Sequence, residues 1–290
     1  MRYYASKTHN RLNGREFTPE AETAVCINPY YKVTIKGPAP FIIDSGAFQD
    51  VGAESRITPQ EALRRQLDFE RTVTPEGRPA YAIVSYDRLV DEQNIEGTQI
   101  KRRVTEEEGQ QYVRETIEAA EYLASMRDAL APRKLILSCQ GTTTAQYLDC
   151  IRRVLAVAIP GDIIGLGGFC IISRSKDAER QFYEVIEQGL PMIAEAGITE
   201  VHIFGVGMTR ALIRAEKQAQ HHGIALSYDT SSYEVNAVFG RVFDPARGQL
   251  CCVFDKAQKG TDYIPEKLAR FNIRMALAFW DGFADMEGTE

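Results

Sequence analysis

The chain has 290 residues, 44% hydrophobic and 26% charged, a globular composition with length for one large core; no apolar run nears the roughly 20 residues of a membrane helix. Its formal net charge of −6 argues against a broad basic surface for gripping long nucleic acid, so such contacts must be local or shared with a partner. The basic N-terminal stretch lacks an apolar core, so no secretory signal is read and a cytoplasmic location is expected.

Residues 1–22 read as an extension ahead of the first strand. Short β-rich runs then recur at Ala24–Ile27, Pro40–Asp44, Ala80–Ser85, Lys134–Ser138, Asp162–Leu166, Glu200–Phe204, Ile224–Tyr228 and Leu250–Phe254. Amphipathic stretches lie between most of them. Thr58-Pro59-Gln60-Glu61 opens one with a capping box and an N1 proline. Thr105 to Leu130 reads as one long helix or two, followed by Thr144 to Ala158, Lys176 to Ala196 and Thr209 to His222, the last closed by Gly223. Strands alternating with helices imply parallel pairing, and eight such units predict a single-domain α/β fold, the (β/α)8 TIM barrel.

The six cysteines are scattered, with no C-x-x-C, so neither a disulfide framework nor a zinc site is spelled out and no metal is expected. No cofactor motif is complete either: the glycine pairs after Ile163–Ile164 and Ile203 lack G-x-G-x-x-G spacing.

Polar and glycine residues collect where the strands end, the face on which barrel enzymes build their sites. Asp44, Asp87, Gln140, Gly167, Gly168, Phe204, Gly207 and Asp229 all stand there. Each has a plainer reading. Asp44 closes a D-S-G turn, Asp87 suits a surface loop, and Gln140 suits a polar strand end. Asp229 precedes Ser231 and Glu234, a capping-box pair, so it also fits a helix start.

In order, D-S-G-A-F-Q (44–49), S-Y-D (85–87), C-Q-G (139–141), G-L-G-G (165–168), F-G-V-G (204–207) and S-Y-D (227–229) resemble the motifs of the tRNA-guanine transglycosylase (queuine tRNA-ribosyltransferase) superfamily. The matching family motifs are D-S-G-G-[FY]-Q, F-D-E, V-Q-G, G-G-L-A/V, M-G-V-G and F-D, and the resemblance spans residues of about 40–245. It implies a pentosyltransferase in which Asp229 is the nucleophile that attacks the anomeric carbon and Asp44 is the general acid/base. It further implies that Asp87, Gln140, Gly167 and Gly168 read the guanine edge while Phe48 and Phe204 stack on the flipped base.

The family's C-x-C-x-x-C zinc module has no counterpart here, and its L-P-T-R segment after the nucleophile is replaced by Thr230-Ser-Ser-Tyr-Glu-Val. In these respects the chain looks more like the DpdA-type paralogues. The resemblance therefore implies DNA rather than tRNA as the polymer, a 7-deazaguanine base such as preQ0 as the incoming partner, and partner proteins of a DNA-modification system. Alternatives are the same barrel acting on tRNA, a 7-deazapurine nucleoside hydrolase, a non-catalytic partner subunit, or an unrelated barrel whose glycine turns cradle a phosphate or flavin. Lys101–Arg103, Arg64–Arg65, Arg152–Arg153 and Arg241 are basic clusters that fit either phosphates or solvated helix faces.

Overall fold

The computed structural model of the chain describes all residues except 8–10, 13–14, 17–22, 32–33, 36, 51–56, 75, 91–92, 95–100, 103, 171, 173–174, 253–264 and 288–290. Side chains are also outside the description at 7, 11–12, 15–16, 93–94, 101–102, 252 and 284–287.

Eight strands close a parallel barrel: β1 (Arg2–Lys7), β2 (Val25–Ile27), β3 (Phe41–Ile43), β4 (Ala82–Val84), β5 (Lys134–Cys139), β6 (Ile163–Leu166), β7 (Glu200–Ile203) and β8 (Ala225–Thr230). β1 pairs with both β2 and β8, and the others follow in chain order, giving an α/β (β/α)8 barrel. Two expectations are corrected here. Residues 2–7 are not part of an extension but the first barrel strand, whose alternating Tyr3, Tyr4 and Ala5 are almost wholly buried. The run at Leu250–Phe254 is not a barrel strand: Gln249–Cys252 pairs antiparallel with Arg241–Asp244 in a hairpin, and 253–254 lie outside the described residues.

Helices α1 (Pro59–Val73), α2 (Glu106–Ser125), α3 (Arg127–Leu130), α4 (Thr144–Leu155), α5 (Lys176–Glu195), α6 (Thr209–His221), α7 (Ser232–Val238) and α8 (Pro265–Glu287) surround the sheet. Thr58 and Thr105 head α1 and α2 with capping boxes, their side chains accepting from Glu61 and Glu108 amides. The stretch to Leu130 is two helices, divided at Met126. Gly223, at φ +67°, ends α6 in the left-handed conformation that a side chain disfavours. Among the described residues no helix follows β1 or β2. The unforeseen α8 packs over β1 and α7, where Trp280 donates to the Tyr228 hydroxyl at 2.8 Å and Asn272 bridges Tyr233, Arg241 and Phe243 backbone groups. Among the described residues no helix is long and apolar enough to cross a membrane.

Strand side chains alternate between two cores. Tyr4, Cys26, Ile42, Ala82, Val84, Ile136 and Ile163 fill the barrel interior, and a larger layer lies between sheet and helices. Tyr81 and Lys134 both bond to Glu200 at the N-terminal ends of the strands and close that end. The opposite end is left for chemistry.

Candidate active site

Along β8 the two-residue period turns Ser227 and Asp229 to one face. Asp229 is 8% exposed. Its Oδ2 accepts from the Ser6 hydroxyl on β1, and its Oδ1 accepts from the Gly205 amide at 3.1 Å and lies 3.4 Å from His202 Nε2. His202 is fully buried between Tyr4 and Phe204, with Nδ1 2.9 Å from Ser227 Oγ. Gly205 has φ +69°, and a Cβ there would stand 2.5 Å from Cys170 Sγ, so glycine is required for the amide to reach the carboxylate. The capping alternative does not form. Ser231 makes no side-chain cap, the Ser232 amide donates to Thr230 Oγ1 at 3.1 Å, and the Asp229 carboxylate belongs to the barrel instead of α7.

Asp44 ends β3. Its Oδ1 accepts from the Ser45 amide at 2.8 Å and its Oδ2 from Asn28 at 3.3 Å. Burial, then the charges of Asp87 and Asp229, push its carboxyl up to about 7 against the opposing pull of the Ser45 and Gly46 amides. Ser45 Oγ donates to Asp87 Oδ1 at 2.9 Å, tying the first loop to the one after β4. Arg65 braces the same loop, donating to Ser45 O at 2.9 Å and pairing with Asp50 while lying over the Tyr30 ring. It is therefore a scaffold residue, whereas among the described residues Arg64 and Arg152 are exposed and pair within their own helices. Phe48 lies in the turn after Asp44 and is 64% exposed.

The remaining expected residues also sit at strand ends but differ in what they offer. Gln140 is wholly buried: its amide nitrogen donates to Arg88 O and to Thr116 Oγ1 at 2.7 Å, and its oxygen accepts from the Val90 amide at 3.3 Å. With both donors spent, Gln140 clamps the loop that carries Asp87 and presents no base-reading edge. Gly167 donates to Cys139 O and accepts from the Tyr147 hydroxyl, so its backbone is also committed. Its open side faces Asp87, whose Oδ2 would be 3.7 Å from a Cβ there. Gly168 has φ +79° and would set a Cβ 3.0 Å from Val90. Phe204 is half-buried against His202, with ring centroids 4.6 Å apart.

Ser6, Cys26, Asn28, His202, Ser227 and Glu234 were not singled out for roles in this pocket. Period-two alternation back from Phe204 and Asp229 finds His202 and Ser227, but Ser6 and Cys26 need the barrel closure. Cys26 Sγ, a His202 ring nitrogen and an Asp229 oxygen all lie within 4.8 Å of one another and are the one metal-competent group among the described residues. Burial pushes the Cys26 thiol well up, with Asp229 and Asp44 adding to it. Glu234 is 3% exposed, its carboxyl oxygens have no hydrogen-bond partner among the described residues, and burial, with the charge of Asp229 adding to it, raises it to about 8. The expected Ser231–Glu234 capping box is thus absent.

Comparison with protein-family models finds no match, and comparison with curated proteins finds no significant one.

Proposed function

We propose that this chain is a base-exchange transglycosylase, replacing guanine in nucleic acid, DNA in preference to tRNA, with a 7-deazaguanine derivative such as preQ0. The observation that carries the reading is a pair of carboxyl groups in one barrel mouth. Asp229 is fixed by its neighbours, and the charge of Asp229 helps to lift Asp44 to about 7.

The hydrogen bonds select the attacking atom. Oδ1 is enclosed between the Gly205 amide and the His202 imidazole, whereas among the described residues Oδ2 has only Ser6 and keeps a second lone pair. In the proposed reaction Oδ2 bonds to C1′ of the target nucleotide as the C1′–N9 bond breaks, and Asp44 gives its proton to the departing guanine. Asp44, now charged, takes a proton from the incoming 7-deazaguanine, whose N9 bonds to C1′ while the Asp229 ester breaks. Each carboxyl returns to its starting state, and no net proton or electron is exchanged. Phe48 supplies an exposed ring on which a flipped base stacks. Asp87 complements the donors of the guanine edge, while Gln140 acts only through the loop it holds.

The test is incubation with labelled guanine and, separately, duplex DNA, single-stranded DNA and bulk tRNA. Label entering DNA supports the proposal in full; label entering tRNA alone keeps the chemistry and overturns the polymer; label entering none overturns the exchange reaction.

A further inference from the structure

We propose that Cys26, His202 and Asp229 form a binding site for a single zinc ion, open on its fourth side toward the barrel mouth. The three residues come from β2, β7 and β8, and their ligand atoms lie within 4.8 Å of one another. Tetrahedral zinc with nitrogen and oxygen bonds of 2.0–2.1 Å has an N–O edge of about 3.4 Å, and a sulfur bond near 2.3 Å makes the S–N and S–O edges about 3.6 Å. His202 Nε2 and Asp229 Oδ1 are already 3.4 Å apart. That separation is long for a hydrogen bond and right for two ligands of one ion. The Cys26 sulfur has at most roughly 1 Å to travel, by the same bond lengths.

The surrounding hydrogen bonds point the ligands inward. Ser227 Oγ stands 3.3 Å from Val201 O and 2.9 Å from His202 Nδ1, so by giving its proton to the carbonyl it accepts from the ring nitrogen. A zinc ion selects the tautomer with the proton on Nδ1, in which the Nε2 lone pair faces Asp229 Oδ1. A ring nitrogen held by a neighbour's oxygen is the usual partner arrangement of a metal-bound histidine. Asp229 is oriented in turn by the Gly205 amide and the Ser6 hydroxyl. One sulfur, one nitrogen and one oxygen suit zinc and not magnesium or calcium, which take oxygen ligands. Cys26 and His202 are enclosed, while the Asp229 side chain is 12% exposed and gives the entry path.

The site also bears on the exchange reaction, a consequence that rests on the transglycosylase reading. Zinc on Oδ1 withdraws charge from the Asp229 carboxylate, so Oδ2 becomes a weaker nucleophile toward C1′ and zinc slows exchange until a chelator removes it.

Binding is tested without reference to activity. The full chain, stripped with chelator, is titrated with cobalt(II) and then zinc(II). One cobalt per chain is expected, with a thiolate-to-metal charge-transfer band and the intense visible bands of a tetrahedral site, all displaced by zinc. Cys26→Ser is expected to abolish the charge-transfer band and weaken zinc binding by at least about 100-fold. A band that survives in folded Cys26→Ser, or wild type that gives no such band, overturns the site. Zinc-edge absorption on the wild type decides the matter if that variant does not fold: one sulfur near 2.3 Å supports the site, and none overturns it. Exchange undiminished with zinc bound overturns the switch alone, and a chain that binds zinc but never exchanges base overturns only the transglycosylase reading.

Discussion

The amide of Gly205 donates to Asp229 Oδ1 across 3.1 Å, so the turn after β7 holds the carboxylate at the end of β8. Gly205→Ala places a methyl 2.5 Å from Cys170 Sγ at a φ of +69°. The turn must shift, at about 1 kcal/mol for the left-handed alanine before the clash is counted. Exchange is expected to fall at least tenfold with a small loss in Tm, and Cys170→Ala in the same chain is expected to recover part of it. Kinetics of the single and double variants make the check.

Asp229→Asn preserves shape but cannot form the glycosyl ester. Exchange is expected to drop on the order of 10³-fold or more while base binding persists. A covalent protein–nucleic acid complex that survives denaturation is expected in the wild type and not in the variant. A folded, active Asp229→Asn chain refutes the mechanism.

Asp44 is held at about 7, so its acid form donates below that pH and is lost above it. The rate kcat/KM for exchange is expected to decline as pH rises through about 7, reporting the free enzyme's acid. Asp44→Asn removes the limb together with most of the activity. A pH–rate profile on the wild type, flat from 6 to about 8.5, contradicts the role.

Glu234 makes stability pH-dependent. Its carboxyl is raised from an ordinary value near 4.5 to about 8 in the folded chain, so below about 4.5 both states hold the proton and nothing is lost. Between the two values the unfolded chain releases the proton and the folded one retains it, so stability falls as pH rises toward 8, on the order of 2 kcal/mol or more. Glu234→Met is expected to flatten that decline in denaturant titrations at pH 5 and 8. An unchanged slope removes Glu234 as its source.

Gln140→Ala separates clamp from base reader. It strands the Val90 amide and the Arg88 carbonyl, a loss of about 1–3 kcal/mol. Tm is expected to fall, with a loosened 86–90 loop. An unchanged Tm with a raised KM for the base alone returns Gln140 to the base-reading role.

The alternation of β-rich runs with capped amphipathic stretches determined the barrel class by itself, because side-chain period and helix capping are local properties of the chain. The same locality placed Asp44, Asp87, Asp229 and Phe204 at strand ends, since each follows an apolar run within a few residues. Closure was a different matter. Whether 2–7 or 250–254 supplies the remaining strand depends on pairing β1 with β8, and the Ser6–Asp229 hydrogen bond joins residues 223 apart in the chain. The sequence also shows what Gln140 and Glu234 are but not what surrounds them. Burial turned one into a loop clamp and left the other without a hydrogen-bond partner among the described residues, and it gathered Cys26, His202 and Asp229 from three strands whose spacing carries no metal signature. Such convergence comes from packing between distant segments, and only the folded barrel sets those distances.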